Sequence, residues 1–352
     1  MRLTIRDIAK MAGVSPATVS KIMNNYDGIS AETTERVKRV IDETGYKPTF
    51  SAQSLATKKS NLIGIIYAGE INVDLNHPFF NEVINVFKKT VGSLGYDLLI
   101  FSNEKFNMEK ENYLLRARHF HVDGCLIVAG EKIESAIYEL DQSDVPCVGV
   151  DIQLTGRMSS YVMTDNVRVA AKVVEHLYLN SIRDIAYIGG KRESPIAQMR
   201  LDGFASTMQK FGIPIKEEWV HFGDFFEESG RASMARMLKT SPYPKAVFAA
   251  SDMMALGAIH AIKERGLKVP DDIRVIGCDD IEACRYSEPK LTTIKQDKEK
   301  LGKFAGHMLN DLITKKMELK AIQVDPELII RESCGAYRNA ETISIDFPGD
   351  RF

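Results

Sequence analysis

The 352 residues hold a single tryptophan and five cysteines, and no apolar run approaches the roughly 18 residues of a membrane helix. Cys125, Cys147, Cys278, Cys284 and Cys334 are scattered, odd in number and never spaced as CxxC. That pattern suits reduced thiols in a cytoplasm and argues against a zinc site. The opening "MRLTIRDIAK" carries charges along its length and has no apolar signal core, so no secretion signal is expected. Phosphate-binding signatures are missing too. There is no GxxxxGK[ST] and no GxGxxG, and "YIGGKRES" has paired glycines without the spacing of a phosphate loop. Neither a GxSxG elbow nor an HExxH pair occurs. The seven histidines are dispersed, and His119 and His121, two apart, point to different helical faces. These absences leave an enzymatic reading with little support and predict no metal and no resident cofactor.

A strong net charge is also lacking, since the total is −2. The distribution is more informative. Residues 1–60 contain ten Lys/Arg against six Asp/Glu, a net +4, which leaves −6 on the remainder. A basic head on an acidic body is the asymmetry of a modular nucleic-acid binder. The length exceeds one compact core, so two or three domains are expected.

The head reads as all-helical. Ile5, Ile8 and Ala9 share one face of a short helix from about Ile5 to Met11, which Gly13 breaks. Ser15 caps a second helix, with Pro16 in its first turn, where a missing N–H costs nothing. Val19, Ile22 and Met23 face inward. Ser30 opens a third helix whose acidic start and basic finish match the helix dipole. Val37, Val40 and Ile41 face the core, and Gly45 ends it. Two short helices joined by "AGVS" form a helix-turn-helix, whose second helix enters a major groove. Thr18, Ser20, Lys21 and Asn24 on that helix suit phosphate oxygens and base edges. A plain helical hairpin would have the same outline. The next stretch, "YKPTFSAQSLATKKSN", is too poor in apolar residues to pack alone and reads as a hinge that orders against a partner.

From residue 62 short apolar runs alternate with helical patterns. "LIGIIYA", "YDLLIFS", "VDGCLIVAG", "VPCVGVD", "IRDIAYIGG", "KAVFAAS" and "IRVIGCDD" are separated by helices such as Phe79–Leu94 and Glu109–Phe120. Such alternation predicts parallel α/β sheets. Nine or so strands exceed one ordinary sheet, so two subdomains with a cleft between them are expected, ligands binding at the carboxyl ends of the strands.

"TIRDIAKMAGVSPATVSKIMNN" resembles the N-terminal signature of the LacI/GalR family of bacterial transcription repressors. The likeness continues through "GYKPTFSAQSLATKKSNLIGII", "DMMALGAIHAIKERGLKVPDDIRVIGCDD" and "LTTIKQD", covering about residues 3–335 in order. The resemblance implies a multi-domain chain, an all-α helix-turn-helix head and hinge helix followed by an α/β, two-lobed core like periplasmic sugar-binding proteins. The implied boundaries are 1–47 for the head and 48–60 for the hinge. The first lobe takes 61–163 plus 293–323, the second 164–292 plus 324–337, and a polar tail 338–352. The three crossings between lobes fall near Thr164, Thr292 and Val324.

It also assigns roles. Thr4, Ile5, Arg6, Ser15, Pro16, Ala17, Thr18, Ser20, Lys21, Asn24 and Tyr46 match DNA-contacting positions of the head. Pro16 and Ala17 fall where relatives vary and read bases, so hydrogen-bonded readout leans on Lys21 and Arg6. In the hinge, Ala52, Gln53 and Leu55 match the short helix that folds on the operator, where Leu55 wedges into the minor groove and kinks the DNA. A staple of Leu55 onto the core is the plainer alternative. Thr49 departs from the Asn of many relatives.

In the core, Asp151, Arg200, Phe225, Ser251, Asp279 and Gln296 match ligand-contacting positions, with the "NHPFF" loop, including Phe79 and Phe80, opposite. Carboxylates and a guanidinium fork suit vicinal hydroxyls, and aromatic faces suit the apolar side of a sugar. Taken singly, Asp279 reads equally as a helix cap, Phe225 as core and Arg200 as a surface residue. Ser251 and Lys298 depart from residues frequent in sugar-responsive relatives.

The resemblance therefore implies a cytoplasmic repressor of carbohydrate-metabolism genes, released or engaged by a small sugar-like effector. It implies a homodimer on a pseudo-palindromic double-stranded operator, since one head covers few base pairs. The tail "ISIDFPGDRF" lacks the leucine heptads of tetrameric relatives. A global regulator answering to a phosphorylated carrier protein is the alternative. A binding protein or enzyme that merely kept the head has nothing in its favour.

Overall fold

The computed structural model describes residues 3–24, 26–47, 59–68, 76–101, 112–129, 135–316 and 321–336. The hinge calls at Thr49, Ala52, Gln53 and Leu55, and the tail 338–352, lie outside the described residues. The chain divides into two compact units, residues 1–61 with 121–123, and the rest.

The first unit contains three helices, α1 (Ile5–Ala12), α2 (Pro16–Met23) and α3 (Ala31–Thr44). Each begins on a side chain that the sequence supplies for the purpose. The Asp7 carboxylate accepts the Thr4 N–H at 2.8 Å and its hydroxyl at 2.7 Å. These bonds hold the Asp7 carboxyl below its ordinary range. Ser15 Oγ accepts the Thr18 N–H at 3.1 Å, and Ser30 Oγ accepts that of Thr33 at 3.3 Å. Gly13 ends α1 at φ 67°, a left-handed turn that L side chains avoid. Arg36 Nε on α3 donates to the Ala12 carbonyl at 3.1 Å, which satisfies an orphan acceptor at the end of α1. The buried centre is Ile8, Ala9, Ala12, Val19, Ile22, Val37 and Tyr46, with Ile5, Met23, Val40 and Ile41 packed around it.

The second unit holds two six-stranded sheets. The first sheet collects β1 (Leu62–Ala68), β2 (Asp97–Phe101), β3 (Gly124–Ala129), β4 (Cys147–Val150), β5 (Ser159–Thr164) and the late β11 (Ile322–Val324). Its spatial order is β11-β5-β4-β3-β1-β2, and every described pairing is parallel. Helices α4 (Pro78–Ser93), α5 (Tyr113–His119) and α6 (Ser135–Asp141) connect the strands. The second sheet runs β12-β10-β9-β8-β6-β7. These are β6 (Ile185–Gly189), β7 (Val220–Phe222), β8 (Ala246–Ala249), β9 (Arg274–Asp279), β10 (Thr292–Lys295) and β12 (Glu327–Ile329). Helices α7 (Asn166–Leu179), α8 (Pro195–Lys210), α9 (Glu227–Met237) and α10 (Asp252–Glu264) belong with it, and α11 (Lys298–Thr314) returns to pack on α4 and on β3 to β5. The apolar runs become strands because both sheet faces are covered by helices, and both lobes enclose their own buried core.

Three details differ from the expected layout. Thr164 and Val324 pair with one another in the first sheet, so neither opens the second lobe. Strand β10 pairs in parallel with Ile276–Asp279, so residues 293–295 belong to the second sheet and the crossing falls between Lys295 and Lys298. Finally, β12 is antiparallel to β10, where only parallel strands were expected. An antiparallel edge on a parallel sheet is what a chain arriving from the other lobe produces when it enters from the opposite end.

Candidate functional site

On the head, the side chains of Thr4, Arg6, Ser15, Pro16, Ala17 and Lys21 are exposed, while Ile5, Thr18, Ser20 and Asn24 are half-buried. Part of this surface serves the fold. The Ser15 and Thr18 hydroxyls share a 2.9 Å hydrogen bond, and Asn24 Nδ2 donates to the Ser20 carbonyl at 2.8 Å. Tyr46, expected at the DNA, closes the head core at 8% exposure, and its phenol is pushed up by burial. Among the described residues no side chain engages Arg6 or Lys21 in an ion pair. Two cations flanking the apolar pair Pro16 and Ala17 remain available for phosphate or base edges.

Within the second unit, loops from both lobes meet at a cavity lined by His77, Phe79, Phe80, Asp151, Ile196, Arg200, Phe225, Asp279 and Gln296. Seven of the eight expected effector residues come together there. The first lobe contributes the N-terminal turn of α4 and Asp151 after β4. The second contributes Ile196 and Arg200 from α8, Phe225 after β7 and Asp279 at the end of β9. Gln296 sits on the crossing between them. This is the carboxyl-end placement that parallel strands predict.

Ser251 is the exception. Its Oγ accepts the Met254 N–H at 3.1 Å and donates to the Phe225 carbonyl at 2.8 Å. It caps α10 and fixes the loop that carries Phe225, and it does not line the cavity. Ser before Asp-Met-Met-Ala is itself an N-cap pattern, so the signal was present in the sequence. His77 and Ile196 line the cavity without having been singled out. His77 lies in the quoted loop, but a lone histidine before a proline carries no periodic signal.

The backbone is strained here. Asp151, Phe225 and Asp279 adopt φ of 55°, 72° and 130°. Left-handed Asp is tolerated, whereas a bulky Phe is a true outlier, and such strain concentrates at functional sites. Gly190 makes the Phe225 position feasible. A Cβ there would stand 2.0 Å from Phe225 Cζ, so the second glycine of "YIGG" is the space that the ring occupies.

Polar partners are unevenly distributed. Arg200, 3% exposed, donates from Nε to Asn166 Oδ1 at 2.8 Å and from Nη1 to the Ala250 carbonyl. Gln296 Nε2 donates to Asp279 Oδ1 at 2.7 Å. Both His77 ring nitrogens, Asp151 Oδ1, Asp279 Oδ2 and Gln296 Oε1 are buried with no partner. Native proteins rarely leave such atoms unpaired unless a ligand or water completes them. Behind Asp279, Lys298 Nζ donates to the carbonyls of Asp279 at 3.1 Å and Asp280 at 2.7 Å. It also pairs with Glu82 of α4 at 3.2 Å, tying a loop of one lobe to a helix of the other.

Burial sets the ionisation. It pushes the Asp151 carboxyl up to about 7, with Arg200 opposing and Asp279 adding to the rise. Asp279 is also raised by burial, and His77 is lowered by burial, hence a neutral imidazole at neutral pH. Folding therefore binds a proton at Asp151 that the unfolded chain, with a pKa near 3.9, has released. Stability from this group falls as pH rises from about 4 to 7 and is flat beyond. We expect Asp151→Asn to raise the ligand-free melting temperature, with an advantage that is smallest near pH 5 and levels off above pH 7, on the order of 1–3 kcal/mol at the plateau. Melting both proteins from pH 5 to 8.5 checks this, and a gain independent of pH would show that Asp151 does not titrate there.

Comparison with known proteins gives consistent matches. Residues 4–49 match the family described as "Bacterial regulatory proteins, lacI family", and residues 174–334 match a periplasmic binding protein-like domain. Proteins named "HTH-type transcriptional repressor PurR" are similar along their length. That of Histophilus somni (strain 129Pt) is 36% identical over 333 residues, covering 94% of this chain and 98% of that protein. That of Erwinia tasmaniensis is 37% identical over 342 residues, covering 96% and 98%. Among solved structures, the lac repressor dimer bound to operator and the anti-inducer ONPF aligns at TM-score 0.81 and 28% identity, covering 95% of this chain and 99% of that one. A complex of the transcriptional regulator CelR with cellobiose aligns at TM-score 0.69 and 27% identity, covering 94% and 100%.

Proposed function

Since the chain belongs to the lacI family of bacterial regulatory proteins and is a DNA-binding transcriptional repressor, we propose that a sugar or sugar derivative in the cleft controls its hold on the operator. The observation that carries this reading is the set of buried, unpartnered oxygens and ring nitrogens facing one cavity between the lobes. Hydroxyls of a small polyol complete those atoms, while Phe79, Phe80 and Phe225 cover its apolar side. The cellobiose of the CelR complex supplies the precedent for such a ligand in a similar protein.

The repressor acts as a homodimer, as the lac repressor does in its operator complex. Two heads then bind a pseudo-palindromic site, with α2 in the major groove and Arg6 and Lys21 providing the hydrogen-bonded contacts. Pro16 and Ala17 offer apolar contact only, Ala17 being small enough for a thymine methyl. Leu55 of each hinge enters the minor groove between the half-sites. Ligand in the cleft changes how the lobes carry the hinges, by no more than its differential affinity for the two arrangements. Carbohydrate-metabolism genes are the targets that a sugar effector implies.

One experiment tests both ends. Sites selected from random DNA give the operator, and the full chain is then titrated with and without sugars. Leu55→Ala should weaken operator binding at least tenfold and leave sugar binding unchanged. Asp279→Ala should bind operator normally and lose the sugar response. Equal operator affinity in the first variant removes the wedge, and a normal response in the second removes Asp279 from the pocket. A core stabilised by a phosphorylated carrier protein and by no sugar would favour the global-regulator alternative.

A further inference from the structure

The point where the chain from the head enters the core is held by one carboxylate. Asp123 Oδ1 accepts the Ser60 N–H at 3.0 Å, and Oδ2 accepts the Asn61 N–H at 2.8 Å. Two successive backbone N–H groups on one anion make a directional grip, and both bonds are charge-assisted. Asn61 stands at φ 53°, a left-handed conformation that asparagine tolerates. The helix-turn-helix head precedes Ser60 in the chain, and β1 follows Asn61. Residues 121–123 group with residues 1–61 and not with the strand β3 that they precede.

The residue bonded to Asp123 is itself tightly enclosed. A Cβ on Gly124 would stand 2.9 Å from Leu309 Cδ1, 3.2 Å from Ile313 Cδ1 and 3.0 Å from the Pro146 carbonyl oxygen. No room for a side chain is left between the start of β3 and the far half of α11. Along α11, Gly302 and Gly306 admit α4 as closely. A Cβ at these positions would meet the Val83 carbonyl oxygen at 2.6 Å and Thr90 Cγ2 at 2.8 Å. Helices packed this closely at two points transmit strain and do not absorb it. At the near end of α11 stands Lys298, whose ammonium reaches the carbonyls of Asp279 and Asp280 in the second lobe and Glu82 on α4. Leu309 lies about 17 Å further along the helix, at 1.5 Å per residue.

We propose that Asp123 is a positioning residue for operator binding. Its carboxylate sets where the DNA-binding part of the chain departs, and α11 delivers displacements of the second lobe at Lys298 to it through Gly124. A loosened departure point adds conformational freedom that has to be given up on the operator. This requires the DNA-binding repressor but no particular ligand in the cleft. A plain loop tie would hold Ser60 and Asn61 equally well and would be indifferent to Lys298.

The test is a double-mutant cycle on operator affinity. It is read by fluorescence anisotropy on a selected operator with the full chain and no added ligand, at a temperature where circular dichroism shows each variant folded. Asp123→Ala is expected to weaken operator binding by about tenfold or more, the order of losing hydrogen bonds to a charged group. Asp123→Asn keeps one acceptor oxygen and should fall between Asp123→Ala and wild type. Lys298→Met is expected to change the affinity by about threefold or more in the wild-type background, and by no more than about 1.5-fold beside Asp123→Ala. If Asp123→Ala does not fold, the cycle is run with Asp123→Asn, where the Lys298→Met effect should shrink by about half or more. Wild-type affinity in the Asp123 variants overturns the positioning role. A Lys298→Met effect of equal size in both backgrounds, or none in either, overturns the delivery through α11 and reduces Asp123 to a loop tie.

Discussion

Replacing Arg200 by methionine is expected to lower the stability of the core by about 3–5 kcal/mol and to weaken any cleft ligand at least 100-fold. Methionine keeps the length and most of the volume of a side chain that is only 3% exposed, so little of the loss comes from a cavity. What goes is the cation. Asn166 Oδ1 and the Ala250 carbonyl lose their donor. Asp151 and Asp279 lose the guanidinium that opposes the effect of their burial, so both carboxyls shift further upward. Breaking one member of a buried charged set costs more than exchanging the whole set. The double variant Arg200→Met with Asp151→Asn should therefore recover part of the stability lost in the single variant, a coupling of 1 kcal/mol or more in a double-mutant cycle, on the order that neighbouring buried groups show. Urea melts of the four proteins measure it. Additive effects would mean that Arg200 and Asp151 do not sense one another.

The parts of the molecule that were readable beforehand are those where one local rule decides. Strands β1, β3, β4, β6, β8 and β9 are apolar runs, buried on both faces, and they leave a plain mark. Strand β5, "SSYVMT", was missed because two serines and a threonine dilute its pattern, and β7, β11 and β12 are three residues each, too short for any period. The head was legible in detail because caps are local. Ser15 and Ser30 each accept a backbone N–H three residues on. A cleft followed from the strand–helix alternation, but the residues that line it were legible only through resemblance. Nothing local in "VGVDIQ", "GDFFEE" or "GCDDIE" announces that three loops, separated by as many as 128 positions from Asp151 to Asp279, converge with positive φ on one cavity. Ser251 shows the opposite case, where the local cap rule was the better guide and the position-by-position analogy misled.

Lys298 ties the two lobes together beside the cleft. It sits where the chain passes from β10 to α11, and its ammonium joins Glu82 of one lobe to the carbonyls of Asp279 and Asp280 of the other. The side chain of Asp279 faces the cavity while its carbonyl faces Lys298. A ligand that pulls on the carboxylate therefore acts on a residue already tied across the lobes. That gives the effector binding proposed above a short physical route to lobe geometry, in place of an unspecified long-range signal.

The head offers the second large effect. Ile8→Ala is expected to abolish operator binding, by more than 100-fold, with the melting temperature of the core and its sugar affinity unchanged. Ile8 is fully buried in a cluster that, among the described residues, has seven buried members, all from the head itself. Truncating it costs about 2–5 kcal/mol in a well-packed core. A domain this small has only a few kcal/mol to lose, so the variant head is unfolded and α2 no longer presents Lys21 and Ala17 together. Lys21→Ala provides the contrast. It removes an exposed cation from a folded head, so binding should fall by roughly 1–3 kcal/mol per half-site and discrimination should relax at the base pair Lys21 meets. Fluorescence anisotropy on selected operators and circular dichroism of the three proteins distinguish the two failures. Wild-type affinity in Ile8→Ala would mean that the helix-turn-helix does not carry the DNA contact. Wild-type affinity in Lys21→Ala alone would shift the readout to Arg6, to the hinge and to the shape of the DNA.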